Sequence, residues 1–348
     1  MKIMSALTHG LASRLLSFTL MLLAVAPLKA DELIMKDGSR LLGKVVKQEE
    51  GTLDFETSYA GTIKVKWDEV SELHADEPVR VMLEDEELYE TTDITLENGD
   101  AVITAVTDGT SVSIEPDAIT FINPEPWRYG EGYRLTGRLN AGLVYQRGNT
   151  VSDEIDIDGN LGLRWKVDRV TAYGQYEKDS SFGETTAQNW LLTGKYDHFQ
   201  TERFYYGANV GFEHDEFADL DLRSKIGPHI GYQFFERPTL NLSTDAGVMY
   251  VNENFIESED GDYMAFSWLV DFDWFVIPDH VQFYHRQNGL LSMEDVGDLV
   301  INSWTGFRFP LYMGVVASLE AEVKYDGGSP SNIDSMDTTY RAKLGYQW

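Results

Sequence analysis

The sequence has no cysteine among its 348 residues. This absence excludes disulfide bonds, thiol chemistry and a lipid anchor on an N-terminal cysteine. Basic residues are scarce, because 28 lysines and arginines stand against 58 aspartates and glutamates, which gives a formal net charge of −30. A chain of this charge repels nucleic acid, and no basic stripe along the sequence opposes that expectation.

Long apolar runs are absent after the first 26 residues. The N-terminus carries Lys2 and Arg14, then LLSFTLMLLAVA, then PLKA, which is the pattern of a signal peptide cleaved after Ala30. We therefore expect residues 1–30 to be a signal peptide and the mature chain to be exported. An exported chain without cysteine suits a bacterial envelope protein. Because no later run reaches the roughly 20 apolar residues of a transmembrane helix, any membrane span has to be built from strands.

Residues 31–122 form an acidic block with many turns. LIMKDGSRLLGKVV and ITLENGDAVITAV resemble each other, and each places a hairpin dipeptide, DG or NG, between two short strands. TLDFETSYAGTIKVKW predicts a third hairpin at its AG dipeptide. These segments predict a small β-domain with a weak internal duplication.

The pattern changes after INPEPWRYGEG, where two prolines within three residues predict a linker over residues 123–132. From residue 133 to residue 348, about twelve stretches alternate apolar with polar side chains, which is the pattern of a membrane β-barrel. The last stretch ends in aromatic residues, and its apolar face should meet lipid and carry the signal for barrel assembly. That face consists of Tyr340, Leu344, Tyr346 and Trp348.

The connections between these stretches fall into two groups. Every second one is short, such as KVDR, FERPT and IPDH, and the others are longer and acidic, such as SSFGETT and NENFIESEDGD. Outer-membrane barrels have short periplasmic turns on one rim and long loops on the other. The sequence therefore predicts an all-β protein of the Gram-negative outer membrane. It should be a transmembrane antiparallel up-and-down barrel of about 12 strands, preceded by a small periplasmic β-domain.

Three segments carry a family resemblance. NAGLVYQRGNTVSDEIDIDGNLGLRW, TGFRFPLY and DTTYRAKLGYQW resemble the YdiY-like family, domain of unknown function 481, whose members are labelled salt-induced outer-membrane proteins. The resemblance covers about residues 132–348 and leaves the N-terminal domain outside. It implies an outer-membrane barrel with a role in envelope adaptation or integrity, and it brings no catalytic residue and no cofactor.

The inward face of the predicted barrel is charged. By alternation, the lumen receives Arg134, Arg138, Asp156, Asp158, Arg164, Asp271, Asp273, Arg308, Glu320, Glu322, Arg341 and Lys343. Closure of the first strand on the last predicts a strip of four cations, Arg134, Arg138, Arg341 and Lys343. The flanking carboxylates should balance this strip. Two interpretations stay open: a narrow channel for small ions or solutes, and an interior sealed by its own salt bridges.

One stretch invites comparison with an enzyme. HRQNG, from His285 to Gly289, is similar to the His-x-Ser-Asn-Gly motif of an outer-membrane phospholipase with twelve strands, and we expect it at the outer end of a strand. Gln287 stands where the nucleophilic serine would be, and an amide cannot perform that attack. We therefore predict that the protein is not an enzyme and needs no cofactor.

We also predict no metal site. The other histidines of the mature chain have no ligand spacing, and the acidic loop ESEDGD lacks the spaced ligands of a calcium loop. The expected partners are outer-membrane lipid and lipopolysaccharide, and the barrel-assembly machinery during biogenesis. The partner of the N-terminal domain stays open.

Overall fold

A computed structural model describes residues 30–97, 99–107, 109–146, 152–328 and 335–348. Nearly all of the predicted signal peptide lies outside the described residues. The described residues form two compact units, one that ends at Pro124 and one that begins at Glu125. Within the described ranges, no helix is long and apolar enough to cross a bilayer.

The first unit is one antiparallel sheet of nine strands, in the order β4-β3-β2-β1-β5-β6-β7-β8, with β9 pairing with both β2 and β5. Its core contains Leu33, Phe55, Leu73 and Val81, all fully buried. The strands are β1 (Asp31–Met35), β2 (Arg40–Glu49), β3 (Thr52–Thr57), β4 (Gly61–Lys66), β5 (Val70–Leu83), β6 (Leu88–Glu97), β7 (Asp100–Ala105), β8 (Ser111–Ile114) and β9 (Ile119–Ile122).

Two of the predicted hairpins in this sheet are present. The DG dipeptide joins β1 to β2, and the AG dipeptide joins β3 to β4. Gly38 and Gly61 have φ angles of 86° and 66°, a conformation that favours glycine. The NG dipeptide falls between β6 and β7, and its Asn98 lies outside the described residues.

In the second unit, twelve antiparallel strands close into a barrel, as the sequence predicted. Each strand pairs with the next one, and β21 pairs back with β10. The strands are β10 (Arg134–Gln146), β11 (Ser152–Arg164), β12 (Asp168–Ser181), β13 (Glu184–Phe199), β14 (Phe204–Asp215), β15 (Leu220–Glu236), β16 (Leu240–Phe255), β17 (Gly261–Ile277), β18 (Val281–Ser292), β19 (Leu299–Pro310), β20 (Val315–Asp326) and β21 (Met336–Gln347).

The barrel is apolar outside and polar inside. On β21, Tyr340 and Leu344 are 81% and 59% exposed, whereas Lys343 between them is 5% exposed. Side chains of a strand alternate between the two faces, so the burial pattern separates an outward apolar face from an inward polar face. This is the reverse of a soluble protein, and it is the arrangement expected when lipid surrounds the barrel.

The two rims differ in their connections, although less than the sequence suggested. On one rim, the turns between strands span three or four residues, such as 165–167 and 237–239. On the other rim, the long loop predicted at SSFGETT is wrong, because β12 and β13 continue until only Phe182 and Gly183 remain. Both residues have positive φ, at 51° and 86°, as in a two-residue hairpin turn.

Candidate functional site

The densest charge cluster in the lumen surrounds Lys343 on β21. Its Nζ lies 2.9 Å from Asp156 Oδ1, 2.6 Å from Asp158 Oδ2 and 2.8 Å from Glu320 Oε1. The lysine side chain is 1% exposed, so these three carboxylates, and not water, surround the ammonium group. Three different strands are therefore tied together at the place where the barrel closes.

Arg341, one inward position away, extends this cluster. Its Nε lies 3.0 Å from Asp156 Oδ2, its Nη2 lies 2.7 Å from Glu177 Oε2, and its Nη1 is paired with Glu322. Gln175 donates from Nε2 to both oxygens of Glu322 at 3.2 Å. The acidic flank predicted beside the two β21 cations is therefore a connected network.

The other half of the predicted cation strip lies elsewhere. The closing register pairs Arg138 with Gln347, so Lys343 lies four residues before the partner of Arg138 on β21. Arg138 makes no ion pair with the described residues, and it lines a small cavity of about 80 Å³. Arg134 lies 3.4 Å from Glu236. The strands of a closed barrel are staggered along its axis, so Arg134 and Arg138 do not lie beside Arg341 and Lys343 although their strands are neighbours.

The remaining predicted lumen residues lie at the end of the barrel where β10 begins and around the cavities. Arg164 lies 3.2 Å from Glu236 at the end of the barrel where β10 begins. Arg308 pairs with Asp273. Asp271 makes no ion pair within the described ranges, and it borders the small cavity and the larger one described below.

A short turn ahead of β10 packs against the same end of the barrel. Residues 126–129 form a 3-10 helix, where the sequence predicted only a linker. Trp127 is buried, and its Nε1 donates to Glu125 Oε2 at 2.6 Å. The guanidinium carbons of Arg134 and Arg164 lie 4.8 Å and 5.0 Å from its ring centre, which is a cation–π arrangement.

This layer of rings and cations continues across the barrel end. The Arg164 guanidinium also lies 3.9 Å from the ring centre of Phe199, which packs on Tyr205 with ring centres 5.0 Å apart. Tyr205 can lie here because Gly231 has no side chain: a Cβ at that position would be 2.2 Å from the tyrosine ring. We call Trp127, Arg134, Arg164, Phe199 and Tyr205 the mouth layer.

At the opposite end, a second cluster surrounds Arg223 on β15. Its Nε lies 2.5 Å from Glu253, its Nη2 lies 2.7 Å from Asp326, and its Nη1 lies 3.5 Å from Glu213. Arg223 and its carboxylates border an outer cavity of about 430 Å³.

An inner cavity of about 270 Å³ lies between this region and the mouth layer. Six cationic and three acidic side chains line the inner cavity, whereas two cationic and six acidic side chains line the outer one. The lumen is therefore polarised along its axis. Small side chains give the inner cavity its space, among them Thr193, Gly211, Ser243, Ser267 and Asn288.

An apolar cluster on β16–β19 lies between the two cavities. Met249 and Leu290 border the inner cavity, Val300 borders the outer one, and Val251 and Ala265 between them are completely buried. We call these five residues the apolar layer. Sequence reasoning missed it because only charged inward positions were sought. The signal was present in VMYV and LVI, where both faces of a strand are apolar.

The phospholipase-like stretch differs from its expected position. His285–Gly289 lies in the middle of β18, not at its outer end. His285 and Gln287 alternate with buried Tyr284, so they lie on the outward face. The His285 Nδ1 lies 2.8 Å from the Thr305 hydroxyl, and Gln287 accepts a hydrogen bond from Trp268 Nε1 at 3.1 Å.

Acidic side chains in the predicted outer loops have structural partners. Asp219 accepts hydrogen bonds from the backbone amides of Glu257 at 2.8 Å and Ser258 at 3.0 Å. Hydrogen bonding from Ser258 holds the pKa of Asp219 below its ordinary value. In the described part of the chain, no group of three histidine, aspartate or glutamate side chains is arranged to hold a metal ion.

In the sheet unit, one histidine lies between two carboxylates. His74 Nδ1 lies 2.7 Å from Asp93 Oδ1, and its Nε2 lies 3.0 Å from Glu72 Oε2. The hydrogen bond with Asp93, supported by Glu72, raises the pKa of His74, and the same bond lowers the pKa of Asp93.

The sequence matches a known family, and the barrel is similar to solved barrels. A family described as "Protein of unknown function, DUF481" matches residues 139–348, which is more than half of the chain. No curated protein matches. The NanC porin is 10% identical, with 62% of this chain and 100% of that chain covered and a TM-score of 0.40. The translocator domain of the autotransporter NalP from Neisseria meningitidis is 13% identical, with 63% and 89% covered and a TM-score of 0.32. The outer-membrane channel DcaP of Acinetobacter baumannii is 11% identical, with 62% and 98% covered and a TM-score of 0.29.

Proposed function

Because this chain belongs to the DUF481 family of proteins of unknown function, we infer its role from the structure of its own barrel. We propose that it is an outer-membrane protein with a narrow gated passage for small ions or solutes. In this proposal the signal peptide directs export, and the sheet unit lies in the periplasm. The barrel-assembly machinery inserts the barrel among lipid and lipopolysaccharide.

The outward face of the barrel supports membrane insertion. Leu139, Ile226, Ile230 and Leu319 are between 55% and 59% exposed, on three different parts of the wall. Soluble monomers rarely expose contiguous apolar patches larger than a few hundred Å². A continuous apolar belt around a closed barrel is stable only in lipid.

The observation that supports a passage is that one side of the lumen is filled and the other is open. Charged pairs fill the wall near β21, whereas small side chains leave an open volume beside β13–β18. The apolar layer lies between the inner and the outer cavity on the β16–β19 side. On the β14–β15 side, Lys225 of the inner cavity lies 3.5 Å from Glu213 of the outer one. Apolar constrictions close channels because water leaves them, so a modest change of these residues can open the path.

A second candidate function is a sealed barrel that supports envelope integrity, including adaptation to salt stress. The Lys343 and Arg341 network favours it, because partnered charges that bridge several strands make a rigid interior. No enzymatic step is part of either proposal.

Single-channel recording in planar bilayers tests the passage. Replacing Met249 and Leu290 by serine should raise the conductance severalfold, because polar side chains let water fill the constriction. Leu269→Ser is the matched control, since Leu269 lines the inner cavity outside the apolar layer. Equal conductance in all three proteins would refute the passage and leave the sealed barrel.

Surface labelling of intact cells tests the orientation. An epitope inserted within residues 257–262 should be accessible from outside, and one at Asp279 should be protected. Accessibility of Asp279 together with protection of the other site would reverse the orientation.

A further inference from the structure

The sheet unit carries a groove where five of its strand connections meet. The groove has a volume of about 560 Å³, which lies within the range of about 300–1,000 Å³ for ligand pockets. Trp67 and Leu96 contribute apolar surface, and charged side chains surround them. Apolar surface combined with a few convergent polar groups is the usual composition of a binding site.

Trp67 has an unsatisfied polar group. Its side chain is 5% exposed, and the backbone amide is fixed by a 2.8 Å hydrogen bond to the Gly51 carbonyl. The indole Nε1 has no hydrogen-bond partner among the described residues. Buried donors are nearly always paired, and an unpaired one destabilises the fold until an acceptor reaches it. A ligand oxygen in the groove would supply that acceptor.

Four of the five charged side chains that line the groove are also without ion-pair partners among the described residues, and the fifth, Asp100, accepts a hydrogen bond from Ser113. Lys36 and Lys66 make no ion pair in the described part of the chain, and neither do Asp68 and Asp117. Other cations of the same unit are paired, for example Arg40 with Glu32 and Lys47 with Glu49. Two ammonium groups and two carboxylates are therefore available to a ligand at one place.

We propose that this groove binds a short peptide that carries both carboxylate and ammonium groups. The ligand carbonyls would accept from Trp67, and its charged groups would meet the lysines and aspartates of the groove. A sugar is disfavoured because Trp67 is 5% exposed, which leaves too little of its ring surface for stacking. A polyanion is disfavoured because residues 31–127 carry 24 acidic and 7 basic side chains. Free peptides and the peptide stems of the cell wall both have this chemistry.

The test uses the full chain in detergent with 15N-labelled tryptophan, whose eight indole N–H signals are few enough to resolve. Trp67→Phe identifies the signal of Trp67. The tripeptide Ala-Glu-Lys with free termini should shift that signal saturably. Lys66→Glu should weaken binding about tenfold, the effect of losing one charge-assisted contact. Lys44→Glu, the same charge change outside the groove, should leave it unchanged.

The outcomes of these experiments decide the proposal. Absence of a saturable shift, or an equal loss in both lysine variants, overturns it. Co-sedimentation with purified peptidoglycan sacculi, reversed by the tripeptide, identifies cell-wall stems as the source. Binding of the tripeptide without co-sedimentation supports the site and assigns it to free peptides. If the protein co-sediments with sacculi but the Trp67 signal does not shift, the groove is not the binding site.

Discussion

Lys343→Met should destabilise the barrel more than any other single loss of a lumen cation. The substitution keeps the length of the side chain and removes the charge that lies within 3 Å of Asp156, Asp158 and Glu320. Water cannot replace the ammonium group, because the lysine side chain is 1% exposed. Removing one partner of a buried ion pair typically costs about 3–5 kcal/mol. We expect a loss of unfolding free energy in this range.

Arg138→Met is the matched control. Arg138 is also an inward cation of the closing seam, yet it makes no ion pair with the described residues. Its replacement should cost about 1 kcal/mol, mostly from lost packing of its aliphatic stem. The comparison separates the loss of a partnered charge from the loss of a long inward side chain.

Urea unfolding in lipid vesicles measures both effects, with tryptophan fluorescence and the heat-modifiable gel band as independent signals. The loss in Lys343→Met should shrink at acidic pH, because protonated carboxylates no longer repel one another. Equal losses in the two variants would refute the network as the source of stability. If the loss of unfolding free energy stays the same at low pH, lost packing and not lost charge is its cause.

Three further predictions test other parts of the molecule. Trp127→Ala should raise barrel conductance in planar bilayers, because it opens the mouth layer; unchanged conductance would mean that this layer does not close the lumen. Deleting residues 346–348 should reduce the heat-modifiable barrel in outer membranes, since the Trp348 and Gly137 backbones exchange hydrogen bonds of 3.0 and 3.1 Å where the barrel closes; normal accumulation would contradict it. His74→Gln should lower stability most between about pH 4 and 6.5. The raised pKa of His74 gives a contribution to folding stability that is complete below the ordinary histidine pKa and is lost as the pH rises through the pKa of the folded state. The lowered pKa of Asp93 gives a contribution that is lost at acid pH. Urea unfolding of both proteins from pH 4 to 9 measures it, and identical pH profiles would refute it.

The strands and their faces were predictable because lipid and lumen impose opposite requirements. Tyr340 and Leu344 had to alternate with Arg341 and Lys343, and any register that reversed them would put charges into lipid. The connection at SSFGETT was not predictable in the same way. Serine and threonine are common in strands as well as loops, so polarity alone does not end a strand.

The partners of the lumen charges depend on information that a single strand does not contain. Arg138 and Lys343 belong to strands that close on each other, but the stagger of the whole barrel sets which residues are opposite. That stagger accumulates over twelve pairings. The alternation of apolar and polar residues therefore predicts on which face of the barrel wall a side chain lies. It does not predict the position of that side chain along the barrel axis.

Stability and passage depend on different walls of the same lumen. The network around Lys343 lies at the seam, whereas the apolar layer with Met249 and Leu290 belongs to β16–β19. Changes at sites that share no partner usually add in free energy. Lys343→Met should therefore shift unfolding without changing conductance. The serine variants of Met249 and Leu290 should raise conductance, and they should also lower stability, because both side chains are buried and serine is smaller. If Lys343→Met also raises the conductance, the interior is one cooperative packing unit, and a passage that opens at the apolar layer alone is not possible.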